Sequence, residues 1–299
     1  FIETIWDAGG TDTLDFSNFS KASTISLIGG EYSTIGFDVD WSMSNNLGIA
    51  FNATIENASG GAGSDNITGN PSGNILKGNA GDDTIRGKEG NDQLHGDGGN
   101  DFLYGDGGND TIFADGGSDT IQGGAGLDTI KYTLAQANYT LVRGESSSTI
   151  QELSTSTYDS LSTVERIIFS DKAVALDIGS GEVGGSCYRI YKAAFNRTPD
   201  EGGLGYWIGQ MDLGKTLVEV SAGFIDSDEF RASYGTNPSN GEFLTKVYNN
   251  VLGRDPDSGG YDWWVDQLAN NPEKSWSKVM ADFSEGTENQ ANVLELIGN

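Results

Sequence analysis

An acidic or amide side chain recurs at every ninth residue through the middle of the chain. Asp65, Asn74, Asp83, Asp92, Asp101, Asp110, Asp119 and Asp128 hold one place in eight contiguous nonapeptides that fill residues 60–131. Carboxylates stacked at such spacing repel one another unless a cation stands between them. Carboxylate and turn-carbonyl oxygens form a hard donor set, which selects Ca²⁺ over Zn²⁺ or Cu²⁺. The overall charge agrees, because 44 acidic against 17 basic residues leave a formal net charge of -27. That excess argues against nucleic acid and anionic membranes as partners, since both are bound through clustered Lys and Arg. The only histidine is His95 and the only cysteine Cys187. These counts exclude a two-histidine zinc motif, a disulfide framework and a Cys-rich zinc site within the chain. His95 is expected to face solvent from a strand, without the partners of a catalytic base. Cys187 is expected to be a small core residue.

The elements that must position these carboxylates follow from the other columns of the repeat. The repeats open at Gly60, Gly69, Gly78, Gly87, Gly96, Gly105, Ala114 and Gly123, and the fourth place is Gly in all but the second, which has Ser72. Glycine at these places suits tight turns with close backbone approach. The eighth place is always aliphatic: Ile67, Leu76, Ile85, Leu94, Leu103, Ile112, Ile121 and Ile130. One inward side chain per short strand makes one thin core layer, which is stable only when neighbouring layers stack. A fixed period of this kind predicts a solenoid.

Gly60 to Thr68 (GGAGSDNIT), Gly78 to Arg86 (GNAGDDTIR) and Gly123 to Lys131 (GGAGLDTIK) resemble the nonapeptide of RTX, or hemolysin-type, calcium-binding repeats. The resemblance implies a parallel β-roll with two nonapeptides per turn and Ca²⁺ between repeat n and repeat n+2. It implies about six ions or more between the eight repeats, with the second repeat (Pro71, Ser72, Asn74) departing from the pattern. The stretches around Asp7–Asp12 and Thr54–Asp65 resemble the start of the C-terminal domain of serralysin-type secreted metalloproteases. Carried over residue by residue, Asp7, Gly9 and Asp12 would bind one calcium. Thr54 and Glu56 would complete another with Gly61, Gly63 and Asp65. Ordinary turn chemistry is the competing reading for Asp7 and Asp12.

Residues 1–59 read as a β lead-in, 60–131 as the roll and 132–185 as a β capping segment with a linker. Strands are expected over 139–143, 149–153, 166–169 and 173–178, and the linker over 179–185. The run from Leu161 to Asp171 resembles a segment that closes RTX rolls. From Ser186 the pattern turns helical. Leu244, Val247, Tyr248, Val251 and Leu252 follow helical spacing, as do Tyr188, Tyr191 and Phe195. Residues 191–208 and 248–265 align at an offset of 57, each with an Arg-x-Pro-Asp-x-Gly-Gly turn. Residues 186–299 therefore read as a duplicated all-α domain, similar to a helical domain of unknown function found after calcium repeats in bacterial secreted proteins. In the duplicated turn, Asp200 and Asp257 fit helix caps, with Arg197 and Arg254 as their ion-pair partners. A calcium or glycan site flanked by Tyr206-Trp207 and Trp263-Trp264 is the alternative.

The expected architecture is thus a parallel β-roll with flanking strands, followed by a separate helical domain. The expected function is a non-catalytic, monomeric, calcium-binding region of an exported protein, folding outside the cell. The resemblance implies type I secretion and an upstream domain such as a zinc metalloprotease. An adhesin-like module holding a glycan or surface ligand is the second reading, and a complete enzyme the third. No run approaches the length of a membrane span. The start carries no visible signal peptide and reads as cut from a longer polypeptide. The end, Leu294 to Asn299 (LELIGN), departs from the acidic-plus-apolar ending of serralysins.

Overall fold

The computed structural model describes residues 3–36, 44–144 and 147–297. The chain divides into two compact units, Phe1–Leu176 and Asp177–Asn299. The first is built on two long sheets. One stacks Thr13–Asp15, Asn57–Ser59, Ile75–Ala80, Gln93–Gly98, Thr111–Phe113, Thr129–Lys131 and Arg166–Ile168 in parallel. The other stacks Thr24–Ser26, Asn66–Thr68, Thr84–Glu89, Phe102–Gly107, Thr120–Ala125 and Tyr158–Ser162, also in parallel. The chain alternates between the sheets at each nonapeptide, so consecutive strands of one sheet are two repeats apart.

Register follows the eighth-position column. Leu94 lies opposite Leu76 on one side and Ile112 on the other. Leu103 lies likewise between Ile85 and Ile121. All eight aliphatic residues of this column are fully buried, at 0% exposure. Each contributes about 1.5–3 kcal/mol by leaving water. The tight stacking explains the fourth-position glycine: a Cβ on Gly108 would lie 1.7 Å from the carbonyl oxygen of Gly90, and Gly108 has φ +124°.

The roll is longer than the nonapeptide tract. Leu14, Ala58 and Ile25 extend the buried columns at one end, and Leu161 and Ile167 at the other. The strand Tyr158–Ser162 was not anticipated, and Leu161 continues the parallel ladder rather than capping it. Closure comes from antiparallel pairing: Tyr139–Arg143 with Ser148–Glu152 and then Tyr158–Ser162, and Ala173–Ala175 with Arg166–Ile168. These additions pair the last rungs with hairpins instead of leaving open parallel edges. Glu3–Ile5, Leu47–Ile49 and Tyr32–Ser33 form a small third sheet.

The second unit holds eight helices among the described residues: α1 (Val183–Phe195), α2 (Glu201–Asp212), α3 (Leu217–Ile225), α4 (Asp228–Tyr234), α5 (Asn240–Leu252), α6 (Ser258–Asn270), α7 (Trp276–Ser284) and α8 (Thr287–Ile297). Helix α1 takes in Val183, Gly184 and Gly185, which the sequence suggested as linker, because their backbone completes the first helical turn. Its buried face runs through Cys187, Ile190, Tyr191 and Ala194, while Tyr188 is only half-buried. The core joins the two halves of the duplication, with Tyr191, Val220 and Phe224 beside Leu244, Val247, Val251, Val279 and Met280. Cys187 is buried against the sulfur of Met211 at 3.4 Å. No described helix is long and apolar enough to cross a membrane.

Candidate metal centre

The sixth-position side chains form two buried columns, one on each row of turns. In the first, the backbone N–H of Asp65 donates to Oδ1 of Asp83 at 2.7 Å. Asp83 donates in turn to Asp101 at 2.8 Å, and Asp101 to Asp119 at 2.9 Å. In the second, Asn74 donates to Asp92 at 2.7 Å, Asp92 to Asp110 at 2.8 Å and Asp110 to Asp128 at 2.9 Å. Each Oδ1 is thereby tied to the turn two repeats earlier. The other oxygen is not: Oδ2 of Asp83, Asp92, Asp101, Asp110 and Asp128 is buried without a hydrogen-bond partner, as is Oδ2 of Asp12.

Stranded carboxylate oxygens are costly unless something positive meets them. Burial accordingly pushes the carboxyls of Asp83, Asp92, Asp119 and Asp128 up to about 7, and Asp101 to about 6. Carboxylates near Asp83, Asp119 and Asp128 in the columns push the same way. Oxygen crowds oxygen at the first position of the repeat. A Cβ on Gly87 would lie 2.1 Å from Oδ2 of Asp92 and 2.8 Å from the carbonyl oxygen of Gly105. Only a residue without a side chain leaves this oxygen-lined cradle open. Such a donor set, all hard oxygen, fits Ca²⁺.

A family profile described as the peptidase M10 serralysin C terminal matches residues 1–177. The chain belongs to that family. The related proteins include serralysin C of Dickeya chrysanthemi at 47% identity, serralysin of Proteus mirabilis at 45% and metallopeptidase AprA of Pseudomonas marginalis at 44%. Each match runs over 64 residues, 21% of this chain and 12% of the relative. The chain thus spans about an eighth of the length of the curated relatives it matches. The profile of a domain of unknown function (DUF4214) matches residues 187–233 and 221–293. Serralysin C-terminal regions are calcium-binding, non-catalytic RTX-type regions associated with secretion.

In this serralysin C-terminal region the columns run beyond the nonapeptides. Asp12 donates its N–H to Oε2 of Glu56 at 2.8 Å, and Ser23 donates to Oδ1 of Asp65 at 2.5 Å. At the far end Asp119 donates to Asp159, and Asp128 to Glu165. The grouping of Thr54 and Glu56 with Asp65 needs correction. Glu56 stands beside Asp12 on one row of turns, whereas Asp65 belongs to the other, because successive nonapeptides alternate between the sheets. Asp7 joins Asp12 and Glu56. Partial burial and these two neighbouring carboxylates raise the Asp12 carboxyl, and Asp7 itself accepts from the N–H of Gly9. Asp65 has both oxygens engaged, the second by the N–H of Gly61 at 2.6 Å. Asn74 is likewise satisfied within the protein, accepting from Asn70 N–H at 2.7 Å.

The duplicated turns of the helical unit have a different character. Asp200 accepts from Gly203 N–H at 2.7 Å to cap α2, and Asp257 accepts from Gly260 N–H at 2.9 Å to cap α6. Arg197 grips Glu229 with two nitrogens, at 2.6 and 2.9 Å, and reaches Asp200 only at 3.6 Å. Arg254 forms no ion pair among the described residues. His95 departs from expectation: it is half-buried and stacked on Phe113, with ring centroids 4.1 Å apart.

Proposed function

We propose that this chain is a calcium-driven folding region of an exported protein. The observation that carries this reading is the double column of buried carboxylates with unpartnered outer oxygens. The liganding residues are the sixth-position aspartates Asp65, Asp83, Asp92, Asp101, Asp110, Asp119 and Asp128. At the N-terminal end they are joined by Asp7, Gly9, Asp12, Thr54 and Glu56, and by Gly61 and Gly63. Bound calcium supplies the positive charge that the columns lack. With a Kd of about 100 µM and external calcium of about 1 mM, each site adds about 1.4 kcal/mol of stability. At cytosolic calcium this contribution vanishes, and a chain of net charge -27 repels itself into an open form. That form suits passage through a type I secretion channel, with folding after export and support for an upstream domain such as a metalloprotease. The test is circular dichroism of the chain in calcium and in chelator. Loss of β-signal in chelator and its return on calcium addition are expected, whereas equal spectra would refute the reading.

A second reading is favoured by one observation. Tyr206 and Trp263 occupy equivalent places in the two halves and are more than half exposed, at 57% and 53%. Their neighbours Trp207 and Trp264 pack on the helical core. An exposed aromatic at matching places is what an adhesin-like glycan platform requires. A glycan array probed with the chain, and with a Tyr206→Ala/Trp263→Ala variant, would detect it.

A further inference from the structure

The seventh repeat alone opens with alanine, and the turn around it departs from its neighbours. In regular repeats the first residue leaves no room for a Cβ, as at Gly78, where it would lie 2.1 Å from Oδ2 of Asp83. Ala114 carries that Cβ, so the turn cannot keep the regular form. The second residue is left-handed in the four preceding repeats, at Asn79, Lys88, Asp97 and Asp106, with φ of 73°, 87°, 63° and 72°, and again at Gly124; Asp115 between them is not, nor are Gly61 and Asn70 in the first two repeats. Oδ2 of Asp119 is absent from the buried, unpartnered oxygens that Asp83 and Asp101 show in the same column.

The altered turn brings Asp115 to its neighbours on the adjacent strand. Asp97 and His95 lie two residues apart on Gln93–Gly98, and Gly116 donates its N–H to the carbonyl of Asp97 at 2.8 Å. One donor atom from each of His95, Asp97 and Asp115 lies within 4.8 Å of the other two. The imidazole is held by stacking face to face on Phe113, its register partner, at an interplanar angle of 6°. No hydrogen bond to either ring nitrogen is present among the described residues. Lys77 is the register partner of His95 on the other side, so the site is bounded by one cation.

We propose that His95, Asp97 and Asp115 form a site for a first-row divalent transition ion, of the zinc or cobalt class, separate from the calcium columns. One imidazole nitrogen with two carboxylates is a borderline donor set, matched to such ions rather than to calcium. Their bonds of about 2.0–2.2 Å need the three donors to close in, which rotation of the exposed Asp115 side chain permits. The remaining positions stay open to water.

The test uses the full chain in millimolar calcium, with its fold checked by circular dichroism. Co²⁺ is titrated by its visible absorption and Zn²⁺ by calorimetry. The chain has one histidine, so its imidazole nitrogen resonances report the site without ambiguity. One equivalent of Co²⁺ or Zn²⁺ should bind and shift those resonances. His95→Ala and Asp115→Asn should each weaken binding at least tenfold without moving the calcium midpoint. Ala114→Gly, which restores the regular turn, should weaken it as well. Absent binding, or binding equally strong in His95→Ala, overturns the proposal. A chain that shows no β-signal in calcium would count against the calcium reading instead. His95-dependent zinc uptake is scored by the resonances in either case.

Discussion

The same side chain behaves in opposite ways in the two units. In the roll, burial pushes the Asp83 carboxyl up to about 7. In the helical unit, the N–H of Gly203 holds the Asp200 carboxyl below its ordinary range. The difference lies in what surrounds the oxygens. A helix N-terminus offers free N–H groups to its cap. The roll turns at Asp83, Asp92, Asp101, Asp110 and Asp128 offer one N–H per carboxylate and leave the second oxygen without a partner. The cores differ accordingly. Each rung of the roll buries one aliphatic residue, worth little more than the cost of ordering one or two residues. The helical unit packs aromatic rings such as Phe243 on Trp276, with centroids 4.7 Å apart. On the proposed reading, one unit depends on an added charge and the other does not.

The largest effect that would sharpen this contrast is a split response to chelator. Residues 177–299 produced alone should be helical and melt cooperatively without calcium, while the roll in the same buffer, above about pH 7, loses its β-signal. A helical unit that folds only in calcium would turn Asp200 and Asp257 from caps into ligands.

Next in size are single changes within the columns. Asp101→Ala and Asp110→Ala should each lower the stability of the calcium-loaded roll by roughly 1.5–3 kcal/mol, the contribution of the one or two ions that each carboxylate would serve in its column. Asn74→Ala should cost about 1 kcal/mol, since its amide is satisfied by Asn70 alone. Calcium titrations followed by circular dichroism would rank the three, and equal losses would make the sixth position structural rather than liganding.

A pH series probes the same columns. Between the ordinary carboxylate range and about 7, the metal-free roll holds more protons on Asp83, Asp92, Asp119 and Asp128 than the unfolded chain does. Residual structure in chelator should therefore decrease as pH rises through that window. In calcium the trend reverses, because protons compete for the liganding oxygens, so the calcium midpoint should rise as pH falls from about 8 to about 6. The helical unit should show neither trend.

The smallest effect concerns the caps. Asp200→Ala and Asp257→Ala should lower the melting temperature of the helical unit by a few degrees and leave the calcium midpoint unmoved. A shifted midpoint would erase the distinction between the two units.

The nine-residue period, the aliphatic column and the carboxylate column were legible in the sequence because each repeat is a local unit. Two residues of fixed spacing, such as Asp83 and Ile85, decide which side chain enters the core and which meets the turn. The duplication at an offset of 57 was legible for the same reason, as were the caps of α2 and α6. Tertiary structure decided everything that irregular spacing hides. Asp12 meets Glu56 across 44 residues, and Asp119 meets Asp159 across 40, with loops or a hairpin between them. Such loops close at nearly the same cost whatever their length, so no period survives in the sequence to announce the pairing. The chain's alternation between two sheets placed Glu56 apart from Asp65. In the repeat that Ala114 opens, Asp115 lies with a carboxylate oxygen within 4.8 Å of a ring nitrogen of His95. Local chemistry determined the repeating unit; packing decided where the columns begin and end, and where they are interrupted.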